Sequence, residues 1–462
     1  MQNKTLTFDF GVAGNTGTVN VTRREMILDL SNVGSGVAFK GNINIIGGRA
    51  QKWTGENKFQ ATFGGDVIGN IAGKKYDTYY DMDATYTFKN SASLKGNFSA
   101  EGNPVSVTSN QAQHKLNFID GTITGGITAK NKAKVSVIFS PTGSNQSSQT
   151  KTWIGGDISS ASNSNVEVTI KNNSSGDAPE NIIQGNITAT ADGYGGAGNK
   201  IDFQTTTKNK IDGNISVSTS NFDVSNTITF NGNSTNTITG NISGSGTGIN
   251  TITATNGSLT IGGNITTQWN KNTISAQTLT IGSEEKKSSI KATGNQATKE
   301  TSNTITATGA LKIYATEITT NNTSHSKNTI TGGTNSEIIV DNITANAGSN
   351  TIKLVTNGGS AGTLDSISTT ETLASGSKIT VNKNLTSNSS ATNTLNAETV
   401  TITGEVKTSV GANNIDGKDI TINGSITNMW GNNTINATGA IKIGSQDKKV
   451  TISNDSNAAT SN

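Results

Sequence analysis

The chain has 462 residues, of which 31% are hydrophobic, 5% aromatic and 15% charged, with a formal net charge of +3. It contains no cysteine, which excludes disulfide frameworks, zinc–thiolate and iron–sulfur sites and thiol nucleophiles together. The basic character comes from scattered lysine, with only Arg23, Arg24 and Arg49 as arginines; no nucleic acid is expected as a partner, because phosphate binding needs clustered cations.

So low an apolar content would suit a disordered chain, but here the apolar residues are placed periodically. A length prior of about three globular domains gives way to a repeat array. No run of 18 or more apolar residues exists, so no transmembrane helix is expected. The first ten residues already alternate like a strand and lack the apolar core of a secretory signal. The last residues stop just after another repeat, and both ends read as cut from something longer.

In the first half a glycine is followed two positions on by an apolar residue. The glycines are Gly41, Gly69, Gly96, Gly125, Gly156, Gly185, Gly213 and Gly240, and their partners are Ile43, Ile71, Phe98, Ile127, Ile158, Ile187, Ile215 and Ile242. A second row, Phe88, Phe118, Phe139, Ile170, Phe203 and Phe230, ends short alternating stretches upstream of each copy. Their period of two marks half-buried strands. Residues 23–30 are the one place where a helical turn competes with a strand. The irregular copies at residues 76–86 and 140–150 read as projecting loops.

The composition changes near residue 231, which all twelve phenylalanines precede. Beyond it Asn-Thr-Ile or a variant starts at Asn250, Asn272, Asn303, Asn328, Asn350, Asn393, Asn413 and Asn433. The 43-residue gap between Asn350 and Asn393 suggests two coils with one degenerate copy. Residues 260–274 are also repeated at 421–435, and the match runs on into Ile281-Gly-Ser-Glu-Glu-Lys-Lys and Ile443-Gly-Ser-Gln-Asp-Lys-Lys.

One Thr-Ile-Thr strand cannot offset the entropy of ordering itself. Stacking such strands about 4.8 Å apart pairs each backbone with its neighbours and buries each isoleucine, worth roughly 1.5–3 kcal/mol. Glycine and asparagine suit the corners, and asparagines in register can bond one another. The expected fold is therefore all-β: a parallel β-helix solenoid of roughly 16–20 coils without substantial helix. Residues 1–230 would form wider coils of period about 28 with a phenylalanine-lined core, and 231–462 slimmer coils of period about 20–25 lined by isoleucine, in one continuous rod.

No catalytic, cofactor-binding or metal-ligating set is expected. His114 and His325 fall in different halves and read as surface residues. The best local cluster is Tyr76, Asp77, Tyr79, Tyr80, Asp81 and Asp83, where aromatic faces beside carboxylates could stack on a sugar or hold a cation; the competing reading is a decorated loop. Residues 195–203 faintly resemble a calcium-binding nonapeptide, but the motif occurs once. The Glu-Glu-Lys-Lys run at 284–287 reads as a solvated turn, and Trp53, Trp153, Trp269 and Trp430 as core caps.

Strands ending in Phe-Asn-Gly (Phe230-Asn-Gly), followed by Gly-Asn-Ile-Thr at 185–188 and 263–266, in a Cys-free chain rich in Asn, Thr, Gly and Ser, resemble the passenger regions of bacterial type V autotransporters. The vacuolating-cytotoxin-like group is the nearest in style. The resemblance covers nearly the whole chain and rests on repeat style. It implies a right-handed parallel β-helix exported through the outer membrane and displayed outside the cell. It also implies a signal peptide and a translocator barrel that this sequence does not show, so that contact with a membrane would run only through that barrel.

The function expected is a non-catalytic extracellular passenger or stalk acting in adhesion or host interaction. Its partner would be a host surface receptor or glycan, or another copy of itself. A β-helix carbohydrate-active enzyme is the alternative, weakened by the lack of arginine after Arg49 and of a dense acidic groove. Ice binding is a further alternative, since Thr-x-Thr on a flat face can order water, although irregular coil lengths are expected to spoil the array.

Overall fold

The computed structural model describes residues 4–9, 24–32, 38–47, 57–75, 82–103, 112–142, 151–171, 180–191, 195–205, 208–219, 223–294, 300–322, 324–356, 372–445 and 449–454. The fold is all-β, a parallel β-helix solenoid, with no helix among the described residues. Its contacts divide it into two compact units, Met1–Asn236 and Thr237–Asn462.

Each turn of the first unit lays down three faces. The first face is the long one, built from Arg24–Leu30, Asn57–Phe63, Met82–Phe88, Ala112–Ile119, Ala133–Ser140, Asn165–Ile170, Ala197–Phe203 and Val224–Phe230. Each pairs in parallel with the next. The second face is short, as in Val67–Ile68 and Leu94–Lys95. The third carries Ile71–Lys75, Phe98–Glu101, Ile127–Lys130, Ile158–Ala161, Ile187–Thr190 and Ile215–Ser218.

Strand periodicity decides what is buried. In Met82–Phe88 alternate residues point inward, and the last inward position is a phenylalanine in Asn57–Phe63 and later strands except Asn165–Ile170, where it is Ile170. Ring centroids are 4.9 Å apart for Phe63–Phe88, 4.3 Å for Phe88–Phe118, 5.1 Å for Phe118–Phe139 and 5.0 Å for Phe203–Phe230. Such offset stacks add about 0.5–1.5 kcal/mol per pair beyond burial. The apolar residue two positions after each glycine forms a second inward column, and Ile43, Ile71, Phe98 and Ile127 are all fully buried.

Gly-Asn-Ile is explained at its corner. A Cβ on Gly96 would lie 2.1 Å from the carbonyl oxygen of Gly69 one turn below, so the stacked backbones leave room only for glycine. The following asparagine accepts from the next turn: Asn97 N donates to Asn70 Oδ1 and Gly126 N to Asn97 Oδ1, both at 2.8 Å. The third residue then enters the core.

In the second unit first and second faces merge into single long strands, as in Ile249–Ile261, Lys271–Ile281, Thr392–Ile402 and Ala412–Ile422. Together with Thr301–Ala307, Ser326–Gly332, Ser349–Thr356 and Asn432–Ala437 they make eight first-face strands, matching the eight of the first unit. Sixteen turns are thus described, at the lower end of the expected range.

The Asn of each Asn-Thr-Ile points inward. Its Nδ2 donates to the Oδ1 of the next one: Asn250 to Asn272 at 2.9 Å, Asn272 to Asn303 at 3.0 Å, Asn303 to Asn328 and Asn328 to Asn350 at 2.8 Å, then Asn350 to Asn393, Asn393 to Asn413 and Asn413 to Asn433 at 2.9 Å. The same Nδ2 reaches a backbone carbonyl of the preceding third-face strand, for example Thr319 O from Asn328 at 2.9 Å. Each buried amide therefore fastens a corner as well as a turn, which removes the penalty of burying it.

Residues 24–30 form a strand, in keeping with the expected absence of substantial helix. Two sequence expectations are corrected. The 43-residue gap is one turn rather than two, because Asn350 pairs directly with Asn393. Within that turn Val355–Thr356 pair antiparallel with Thr372–Leu373, and residues 357–371 lie outside the described residues. The expected loop at 76–86 is too long: Met82–Phe88 is a core strand and Tyr86 is fully buried.

Candidate functional site

The outward positions of the first face assemble the most distinctive surface of the first unit. Alternation turns Lys58 and Gln60 outward, and the parallel register places them beside Asp83 and Thr85. Gln113 and Lys115 follow, then Lys134 and Ser136, then Glu167 opposite Ser136. Across these five turns the surface dips into a depression of about 510 Å³ lined by these side chains and Ile138, with Phe59, Ala84 and His114 between them. Three lysines and two carboxylates give it mixed charge. A second, smaller hollow of about 370 Å³ lies over Gln204, Thr205, Asn231 and Gly232.

Of the residues singled out from the sequence, Asp83 lies in this depression, beside Lys58 and Gln113 in register. Tyr76, Asp77, Tyr79, Tyr80 and Asp81 lie outside the described residues, as does Trp53. Residues 195–203 supply an ordinary first-face strand, in which Asn199 points inward and donates to Asn226 Oδ1 at 2.9 Å.

Directly behind the depression is a histidine that the sequence reading placed on the surface. His114 is 1% exposed. It packs against Tyr86 and Phe98, with ring centroids 6.2 and 5.5 Å away, and its Nδ1 lies 3.4 Å from the Tyr86 hydroxyl. Nε2 has no hydrogen-bond partner. Burial disfavours the imidazolium and drives its pKa down to about 3, while the same burial raises that of Tyr86 well above the ordinary phenol. Room for the ring comes from Gly73 on the third face, where a Cβ would fall 2.0 Å from His114 Cε1. The signal was present in Gln113-His114-Lys115-Leu116-Asn117-Phe118, whose alternation puts His114 on the face of Leu116 and Phe118.

A second unusual group lies on the second face of the same unit. Lys151 Nζ donates to the Asp120 carbonyl oxygen at 2.6 Å and lies 4.0 Å above the Trp153 ring. Partial burial lowers its pKa to about 8, against the opposing pull of the Asp120 carboxylate. Trp153 itself is buried, as expected of a core residue, and its Nε1 donates to Asn181 Oδ1 at 2.8 Å. Asn181 donates in turn to Asn209, and Asn209 to Asn236, so the indole heads an amide ladder of its own. Trp430 departs from the expected pattern, being 57% exposed.

In the second unit Ser283 to Lys286 are exposed, as a solvated turn requires, while Lys287 Nζ pairs with Asp341 Oδ1 at 2.6 Å. The outward threonines of the first face stay in register over six turns: Thr251, Thr273, Thr304, Thr329, Thr351 and Thr394. His325 is exposed. Among the described residues no group of three or more His, Asp or Glu is placed to hold a metal ion. Comparison with protein-family models, curated proteins and solved structures gives no match.

Proposed function

We propose that the chain is a non-catalytic, extracellular β-helical passenger or stalk of a surface-displayed or secreted bacterial autotransporter, and that it acts in adhesion or host interaction. The observation that carries this reading is the first-face depression, which spans five turns and presents Lys58, Asp83, Gln113, Lys115, Lys134 and Glu167 on strands paired in register. Side chains repeated at about the 4.8 Å turn spacing suit an extended chain of hydroxylated units better than a compact small molecule. A host glycan lying across the turns is the partner this favours. The test is binding of the purified chain to host cells and glycan panels, beside a variant with Lys58, Lys115 and Lys134 all changed to glutamate. Binding that is absent in the native chain, or unchanged in the variant, rejects the assignment.

A second reading is favoured by the threonine column. Variation in coil length was expected to spoil a hydroxyl array, yet Thr251 to Thr394 remain aligned. Thr253, Ser275 and Thr306 form a parallel column beside the first three. Such a lattice of hydroxyls could order water at an ice surface. Thermal hysteresis of the native chain, abolished by Thr304→Lys, would support it; no hysteresis would reject it.

A further inference from the structure

The depression on the first face of the first unit carries its charges in a fixed order. Asp83, Lys115, Lys134 and Glu167 come from successive strands, one per turn, and alternate between two neighbouring outward columns. With strands about 4.8 Å apart and a rise of about 3.3 Å per residue, each step is a diagonal of about 8 Å between backbones. The order is minus, plus, plus, minus.

The register also decides which of these charges are balanced. Asp83 has Lys58 directly beside it in its own column, and Glu167 has Lys200. The two middle lysines have only neutral column neighbours, Thr85 and Ser136 for Lys115 and Gln113 and Asn165 for Lys134. Lys95, elsewhere in the unit, pairs with Asp66 at 2.6 Å; among the described residues neither Lys115 nor Lys134 has such a carboxylate partner. Gln113 and Ser136 complete the square between them, offering an amide and a hydroxyl. Ile138, two residues beyond Ser136, adds an apolar edge to the depression.

Two unbalanced cations side by side, with neutral hydrogen-bonding groups between them and an aliphatic edge, suit one anionic group carried on a sugar. The flanking carboxylates oppose a second anion on either side, because like charges brought together across a binding face cost affinity. We infer, resting on the glycan reading of this same depression, that its ligand is a glycan bearing a single carboxylate among neutral sugars, as a sialylated oligosaccharide does. Lys115 and Lys134 take the carboxylate. Asp83 and Glu167 turn away densely sulfated chains.

The test is binding of the full chain to sialyllactose, to carboxyl-reduced sialyllactose and to a heparin oligosaccharide. Sialyllactose should bind about tenfold more tightly than its reduced form, and more tightly than heparin. With Lys115→Gln and Lys134→Gln together, the two forms of sialyllactose should bind alike. With Asp83→Asn and Glu167→Gln together, heparin should gain about tenfold. Equal binding of the two sialyllactose forms by the native chain, or tightest binding of heparin, overturns this ligand class while leaving a glycan partner in place. Absence of binding to these probes and to a wider glycan panel removes the glycan reading and the carboxylate site with it.

Discussion

Asn328 and Asn350 are 22 residues apart in the chain and one turn apart in space, with Asn328 Nδ2 donating to Asn350 Oδ1 at 2.8 Å and both side chains fully buried. Asn328 also accepts from Asn303 and donates to Thr319 O. Asn328→Ala removes three hydrogen bonds and strands a donor and two acceptors. At about 1–3 kcal/mol for each unsatisfied buried group, only partly relieved by relaxation, the loss should be about 3–5 kcal/mol. Urea denaturation should show it, with faster amide exchange centred on residues 303–352. The exposed neighbouring change Lys327→Ala should move stability by less than about 0.5 kcal/mol.

Gly73 and His114 are matched in size across the core. Gly73→Ala should cost about 2–3 kcal/mol, since the new methyl meets a buried ring with no space to retreat. His114→Ala leaves a cavity and should also destabilise. The double variant should be more stable than the sum of the two by about 1 kcal/mol or more, and a double-mutant cycle reads that coupling directly. Strict additivity would show that the two side chains do not share the space.

His114 also makes stability depend on pH. Its folded pKa of about 3 lies below the unfolded value of 6.5, so between these limits the unfolded chain binds a proton that the folded chain refuses. Stability from this residue is complete above about pH 6.5 and falls as pH drops towards 3, by about 5 kcal/mol at most. In His114→Gln the part of the pH dependence between 3 and 6.5 should flatten, with carboxylate titration remaining. Denaturation midpoints measured at pH 4 and pH 7 check this.

Lys151 should be the most reactive lysine near neutrality. With a pKa of about 8, roughly half its amine is neutral at pH 8, against well under 1% for a lysine of ordinary pKa. Brief acetylation at pH 8 followed by peptide mass spectrometry should place Lys151 first among the lysines. Trp153→Ala, which opens the covering ring to water, should return it to the ordinary rate.

The fold was readable because its signal is positional. The Gly-x-Ile row, the phenylalanine row and the Asn-Thr-Ile row each form an inward column, and the asparagines bond one another in register from Asn250 to Asn433. Errors arose where spacing along the chain stood in for spacing in space. The gap after Asn350 looked like two turns because strand pairing tolerates any excursion that returns to register. His114 was misplaced because residue type was weighed above its position in an alternating strand. The depression was not legible at all: Lys58, Asp83, Gln113, Lys134 and Glu167 share no motif, and only the turn-to-turn register brings them together.

The turn between Asn350 and Asn393 has a practical meaning. Lengthening a closed loop costs only about 0.6 kcal/mol per doubling, and here the ladder bonds before, across and after the turn keep their 2.8–2.9 Å lengths. Distance along such a molecule is counted in asparagines, not in residues. Foreign sequence could therefore be carried between Thr356 and Thr372 as cargo hung from a ruler, without moving any mark engraved on it.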